Sequence, residues 1–258
     1  MIFYFSATGN SKYVAERIAK ATNDEVMYIL DYQDEYAISD GENIGIVTPT
    51  YAWSFPSVVK DFFSKLKLNY QQSPYFFFVA TFGFLDGFIG KEAQQVLKEQ
   101  TGLPVSAVFN VRMPDNWTPS FDLSDPDKVA KQVADAEPQI DDVIEKIHHK
   151  KFGNFMKRQG PMFTASFMHK HYEKMRLTSN LSVSGDCIGC GLCAKKCPVQ
   201  AIEIRDKKPV WVKEQCAMCL GCLHRCPKFV IQYGDGKTRA HGQYIMVPLS
   251  RPLSQISS

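Results

Sequence analysis

Short apolar runs and amphipathic stretches alternate along the first 150 residues of the chain. The apolar runs lie at residues 1–6, 25–30, 43–49, 75–80 and 105–111. Apolar residues at helical spacing follow every run except the second, and they predict helices at residues 11–21, 56–66, 90–100 and about 125–150. Because strands that alternate with helices form parallel sheets covered on both faces, residues 1–150 are predicted to form a doubly wound α/β domain with a five-stranded parallel sheet.

The loop after the first predicted strand has the residues of an anion site. In doubly wound sheets, ligands bind at the carboxyl ends of the strands. Here the loop Ser6-Ala7-Thr8-Gly9-Asn10-Ser11 joins that end to the start of a helix, where unpaired N–H groups favour an anion. The loop lacks Lys and Arg, so it predicts a phosphomonoester held by neutral donors; the alternative is an ordinary capped turn.

This loop resembles the phosphate loop of flavodoxins, which bind FMN. The resemblance covers about residues 1–150 and implies that Ser6, Thr8, Gly9, Asn10 and Ser11 hold the phosphate. It also implies that the flavin ring lies between two further loops, Thr48-Pro49-Thr50-Tyr51-Ala52-Trp53 and Thr81-Phe82-Gly83-Phe84. Aromatic side chains in both loops can stack on a flat ring or pack against the protein. The segment 112–117 has no flavodoxin signature: it either covers the flavin, shapes a substrate mouth or is a surface loop.

All eight cysteines lie in two repeats of one pattern. The first run is Cys187-x2-Cys190-x2-Cys193-x3-Cys197-Pro, and the second run is Cys216-x2-Cys219-x2-Cys222-x3-Cys226-Pro. Every cysteine of the second run follows its counterpart by 29 residues, which indicates an internal repeat. Three readings are open: iron–sulfur clusters, two all-thiolate zinc sites, or disulfides, which a cytoplasmic chain disfavours.

This spacing resembles that of bacterial ferredoxins with two [4Fe-4S] clusters. The resemblance implies that the fourth cysteine of each run serves the other cluster. Cluster one then takes Cys187, Cys190, Cys193 and Cys226, and cluster two takes Cys216, Cys219, Cys222 and Cys197. A small α+β ferredoxin domain is therefore expected over residues 181–234, with the clusters contributing to its folding.

Charge divides the chain as sharply as the cysteines do. Residues 1–145 hold 11 Lys and Arg against 21 Asp and Glu, whereas residues 146–258 hold 19 against 6. The most basic part also contains interleaved Phe and Met, and we treat residues 151–180 as a connector. One reading of the connector is a membrane or partner surface. The other, which we favour, is helices that bury Phe and Met between two domains.

Together, the two halves resemble fused flavodoxin–ferredoxin proteins of the EFR-type ferredoxin family. The resemblance implies an electron-transfer protein with FMN and two [4Fe-4S] clusters that serves a redox partner protein: a ferredoxin, a hydrogenase or an oxidoreductase. Two alternatives remain: a flavin-dependent reductase of a small organic substrate, and a redox-sensing or scaffold protein that binds through its connector. No nucleic-acid partner is expected. We find no transmembrane run or signal peptide and expect a cytoplasmic protein with an extended tail over residues 235–258.

Overall fold

The structure, a computed structural model, describes residues 1–33, 35–156 and 165–246. Its strands are β1 Ile2–Tyr4, β2 Val26–Tyr28, β3 Tyr36–Ala37, β4 Asn43–Pro49, β5 Leu68–Asn69, β6 Tyr75–Phe82, β7 Ala107–Arg112, β8 Gly153–Asn154, β9 Leu181–Val183, β10 Ile202–Arg205, β11 Lys208–Trp211 and β12 Ile231–Tyr233. Its α-helices are α1 Asn10–Thr22, α2 Ser57–Phe63, α3 Ile89–Thr101, α4 Pro126–His148, α5 Ala165–Met175, α6 Leu192–Lys195, α7 Gly221–His224 and α8 Lys237–His241.

The first half is built on a parallel sheet with the strand order β2-β1-β4-β6-β7-β8. The five predicted strands are present, so the predicted doubly wound fold is confirmed. A short sixth strand extends the sheet, because Gly153 pairs with Ala107 and Asn154 pairs with Val108. Strand β8 was not predicted, since a Gly-Asn pair is not an apolar run.

Strand β6 shows why the sheet is buried on both faces. All eight of its residues are buried, and successive side chains point to opposite faces. Phe76 and Phe78 pack in the hydrophobic cluster that contains α2 and α3. Phe77 and Val79 pack in the cluster that contains α1 and α4. Because the strands are parallel, their carboxyl ends meet at one edge of the sheet, between the two helical layers.

The cysteine-rich part contains two small two-stranded sheets. Strand β10 pairs with β11, and β9 pairs with β12, both antiparallel. Each cysteine run passes through a one-turn helix, α6 in the first run and α7 in the second. A separate small hydrophobic cluster, which includes Leu223, Val230 and Ile231, supports this part of the chain.

Helix α5 ties the cysteine-rich part to the sheet. The buried Tyr172 hydroxyl donates to Ala217 O at 3.3 Å and accepts from Ser57 N, at the start of α2, at 3.0 Å. Arg176 Nε donates to Cys216 O at 2.9 Å. Ala217 and Tyr172 belong to the same hydrophobic cluster as α2 and α3. Among the helices of the described residues, none has the length and apolar character needed to cross a bilayer.

Candidate cofactor sites

Loops at the carboxyl ends of β1, β4, β6 and β7 enclose one cleft of about 260 Å³, here called the flavin cleft. Most residues predicted to contact the flavin line it: Ser6, Thr8, Asn10, Ser11, Pro49, Thr50, Tyr51, Ala52, Trp53, Thr81, Phe82 and Gly83. Gly9 and Thr48 are not among the lining residues. Gly9 shapes the backbone at the start of α1, and the Thr48 side chain is buried within β4.

Hydrogen bonds hold the polar groups of the first loop in place. Ser6 Oγ accepts from Gly9 N at 3.0 Å, and Thr8 Oγ1 accepts from Asn116 Nδ2 at 2.9 Å. Both hydroxyls retain their own hydrogen for a ligand. Gly9 has φ 107°, a backbone conformation that residues other than glycine rarely adopt. It caps the start of the 13-residue helix α1. The unpaired N–H groups of this first turn and the helix dipole favour an anion, which fits the phosphate of a flavin nucleotide.

The second loop turns tightly and presents an aromatic residue. Tyr51 and Ser54 exchange backbone hydrogen bonds of 2.9 and 3.0 Å across the turn. Ala52 and Trp53 both have positive φ, 47° and 69°, which non-glycine residues adopt only when surrounding contacts hold them there. Thr50 Oγ1 is buried and has no hydrogen-bond partner within the described part of the chain. An orphaned hydroxyl at the cleft fits a bound polar ligand.

Sequence reasoning missed the opposite wall of this cleft. Met168, His171 and Met175 of α5 line it, and so does Met218 from between two cysteines of the second run. Asn116 and Trp117 also line it, so the segment 112–117 contributes to the cleft. The interleaved methionines of the connector were the available signal, because flexible apolar side chains often fill irregular pockets.

Arg112 lies outside the flavin cleft. It lines a neighbouring cavity of about 200 Å³, and its Nε donates to Gly83 O at 2.8 Å. Asp115 lines both cavities. Burial raises the pKa of the Asp115 carboxyl, while a hydrogen bond from Trp117 N opposes that shift.

The eight cysteines, all free, line two narrow cavities in sets of four. One cavity is lined by Cys187, Cys190, Cys193 and Cys226. The other is lined by Cys197, Cys216, Cys219 and Cys222. In each set, three cysteines come from one run and the fourth comes from the other run. These two groups match the ligand sets that the ferredoxin resemblance implies, and a set of four thiolates is the usual ligation of a [4Fe-4S] cluster.

Thiols of the second cavity are held in a desolvated environment. Burial raises the pKa of Cys219 to about 12 and raises that of Cys216. It raises the pKa of Cys222 well above its ordinary value. A buried thiolate without a cation is unfavourable, so iron would have to supply the compensating charge as it displaces the protons.

The chain after β12 crosses from the cysteine-rich part to the first loop; we call residues 242–246 the strap. His224 Nδ1 accepts from Tyr244 N at 3.1 Å, so Nε2 carries the proton and donates to Asn116 O at 2.8 Å. Burial lowers the pKa of His224 to about 4 and keeps the ring neutral. The Tyr244 hydroxyl then donates to Asn10 Oδ1 at 2.6 Å. The strap thus connects α7 directly to the candidate phosphate loop.

Two family models match the chain. Residues 1–137 match the model described as a flavodoxin domain, and residues 186–231 match the model described as a 4Fe-4S dicluster domain. The first match covers more than half of the chain, so the chain belongs to the flavodoxin-domain family. In this chain a flavodoxin domain is fused to a 4Fe-4S dicluster domain, as the sequence resemblance predicted.

Individual proteins are similar to parts of the chain. An uncharacterized polyferredoxin-like protein of Methanocaldococcus jannaschii is 38% identical over 17% of this chain and 34% of its own length. The match therefore spans about a third of that relative. A flavoprotein structure from Bacteroides uniformis has a TM-score of 0.34 at 15% identity and covers 45% of this chain and 90% of its own. An archaeal flavodoxin has a TM-score of 0.33 at 15% identity and covers 57% and 97%, respectively.

Proposed function

We propose that this protein holds one FMN and two [4Fe-4S] clusters and passes electrons between the flavin and a redox partner protein in the cytoplasm. The main support is the position of Met218, which lines both the flavin cleft and the second cysteine cavity. A flavin exchanges one or two electrons and a cluster exchanges one, so adjoining sites for the two allow conversion between these modes. The partner classes are those of the resemblance: a ferredoxin, a hydrogenase or an oxidoreductase.

The residues of the flavin cleft have distinct roles in this proposal. The first loop binds the phosphate through neutral donors: Ser6, Thr8, Gly9, Asn10 and Ser11. The second and third loops bind and orient the ring through Pro49, Thr50, Tyr51, Ala52, Trp53, Thr81, Phe82 and Gly83. Thr48, which was also predicted to contact the flavin, is buried in β4 behind the second loop. The hydroxyls of Ser6 and Thr8, the freed N–H groups of α1 and the orphaned Thr50 hydroxyl support this assignment.

The two cysteine cavities differ in whether they share a lining residue with the flavin cleft. The cavity of Cys197, Cys216, Cys219 and Cys222 shares Met218 with the cleft, whereas the cavity of Cys187, Cys190, Cys193 and Cys226 shares no lining residue with it. Cys190 is exposed. We therefore assign the second cavity to the internal relay and the first cavity to exchange with the partner protein.

The first experiment is cofactor analysis of protein purified without oxygen. We expect close to eight irons and one FMN per chain, because eight thiolates fill two cubanes. Zinc in place of iron, or a chain without flavin after careful reconstitution, would overturn the proposal.

Order of transfer is tested by removing one ligand from each cavity, with Cys190→Ser and Cys219→Ser. Cys190→Ser should slow electron exchange with an external carrier protein. It should leave electron exchange between the flavin and the cluster of the second cavity intact. Cys219→Ser should interrupt exchange with the flavin. Iron content and circular dichroism show whether each variant folds. If a variant loses both clusters, Met218→Leu in the intact protein provides the test, since it should change exchange with the flavin and not with the external carrier.

A reductase of a small organic substrate is the second candidate. The cavity beside the flavin cleft supports it, because Arg112, Asp115 and two glutamines offer polar groups to a substrate next to Gly83 and Phe84. Turnover of candidate acceptors under anaerobic reduction, lost in Arg112→Ala while FMN is retained, would support this activity. Unchanged turnover in that variant would exclude Arg112 from it.

A further inference from the structure

A basic cleft of about 220 Å³ lies beside the candidate phosphate loop, between the flavodoxin and cysteine-rich parts. The flavodoxin part contributes Tyr4, Phe5, Ser6, Ala7, Lys12 and Tyr28, and the cysteine-rich part contributes Lys196, Pro198, Cys219 and Arg225. Three of these side chains are cations, and none of the lining residues in the described chain is acidic. We propose that this cleft binds a phosphoryl group, separate from the flavin phosphate.

The guanidinium of Arg225 lies beside Gly221. A Cβ atom at Gly221 would lie 2.8 Å from Arg225 Nη1, 3.5 Å from Cys219 Sγ and 3.7 Å from Ala7 O. A side chain at position 221 would therefore displace the guanidinium. Because residue 221 is glycine, the Arg225 guanidinium can lie next to both Cys219, in the second cysteine cavity, and the backbone of the phosphate loop.

The charges of the cleft lack strong partners in the described residues. Neither Lys196 nor Arg225 makes an ion pair there, and Lys12 has only Glu16, at 3.5 Å on an exposed helix face. Such exposed pairs contribute little. A half-buried arginine without a carboxylate is available for an anion, and its planar fork suits two oxygens of a phosphoryl group. The Tyr4 and Tyr28 rings, 5.5 Å apart, form an aromatic wall of the same cleft.

Cluster two, if our proposed function is right, explains part of this charge, because a cluster with four thiolates is an anion that Arg225 can offset. It does not explain Lys12, which comes from the opposite wall, in the other domain. Because Cys219 lines the cleft, a bound phosphoryl group would add negative charge near that cluster. It would lower the reduction potential of cluster two and leave cluster one, in its separate cavity, almost unchanged.

The test is calorimetric titration of inorganic phosphate into full-length protein saturated with FMN, so that the flavin phosphate already occupies its own loop. Ionic strength is matched with chloride. We expect saturable binding that weakens at least tenfold in the Lys196→Gln/Arg225→Gln variant. The neighbouring Lys195→Gln, which removes an exposed lysine outside the cleft, should bind like the parent protein. AMP and ADP as further titrants distinguish a nucleotide phosphate from the free ion.

Three results would overturn the proposal: no saturable binding, equal affinity in the double variant, or competition between phosphate and FMN. The titration uses reconstituted protein and measures binding of phosphate, not electron transfer, so it can fail or succeed independently of the proposed electron transfer. In protein that contains FMN and both clusters, a redox titration monitored by electron paramagnetic resonance provides the second readout. Phosphate should lower the midpoint potential of one cluster in the parent and not in the double variant. A potential that depends on Arg225 and not on phosphate would assign the cations to the cluster alone.

Discussion

The two cysteine runs have the same backbone and different surroundings. Gly189 and its counterpart Met218, 29 residues later, both have left-handed φ, 68° and 55°. The flanking residues differ in exposure: Ile188 is 56% exposed, whereas its counterpart Ala217 is 1% exposed. The first run faces outward and uses glycine where the backbone requires it. The second run faces the flavin cleft and accepts a strained methionine, because that side chain forms part of the wall.

The largest expected difference between the runs concerns a buried charge. Ala217→Asp would place a carboxylate in the hydrophobic cluster shared with α2, at a cost of about 3 kcal/mol or more. Ile188→Asp, at the matching position, should be tolerated because that side chain is exposed. A thermal melt of the reconstituted protein should show a drop of about 10 °C for the first variant and little change for the second. Equal melting temperatures would mean that the second run is not buried against the sheet.

Glycine at position 189 is the next point of difference. A Cβ there would lie 2.9 Å from Lys207 Cβ and 3.1 Å from Lys207 O, in a backbone conformation that disfavours side chains. Gly189→Ala should destabilise the first cavity by about 2 kcal/mol. Gly191→Ala is the control, since it has a similar φ and its nearest neighbour is Ile204 Cγ1 at 3.9 Å. Iron loss on mild heating should be faster in Gly189→Ala; equal rates would show that Lys207 does not constrain this turn.

Removing the Met218 side chain tests the wall that the second run contributes. Met218→Ala should weaken FMN binding by about tenfold, because a buried apolar contact of 1–2 kcal/mol is lost. Met113→Ala removes a methionine that is also buried but does not line the flavin cleft. Titration of FMN followed by flavin fluorescence measures the FMN affinity of both variants. Similar FMN affinities in the two variants would separate Met218 from the flavin site.

The smallest expected effect concerns the strap, which contacts α7 of the second run. Tyr244→Phe removes the hydroxyl that holds Asn10 and should weaken FMN binding by about fivefold, the value of one hydrogen bond. Iron content should not change. Tyr32→Phe, which removes a hydroxyl bonded to Lys67 O away from the cleft, is the control. If both variants bind FMN like the parent, the strap does not position the phosphate loop.

Much of the molecule was predictable from local pattern. The apolar run at residues 43–49 predicted β4 with its observed bounds. The 29-residue repeat indicated two equivalent cysteine sets, and the resemblance to bacterial ferredoxins implied the grouping that the two cavities show. Both follow from short-range rules: strand burial shows in consecutive residues, and cluster ligation shows in fixed spacing. Sequence pattern also placed most of the flavin-cleft residues, since strand ends in a parallel sheet meet at one edge.

Contacts between distant parts of the chain were decided only by the tertiary structure. No periodicity shows that Met218 and the methionines of α5 complete a cleft begun by Ser6, or that Arg112 lies in the neighbouring cavity. Nor does it show that Tyr244 reaches Asn10. Local patterns report whether a residue is buried, and they do not report what buries it. For this protein, the sequence by itself determined the two domains and their candidate cofactors, and the packing of the domains against each other decided how the cofactor sites adjoin.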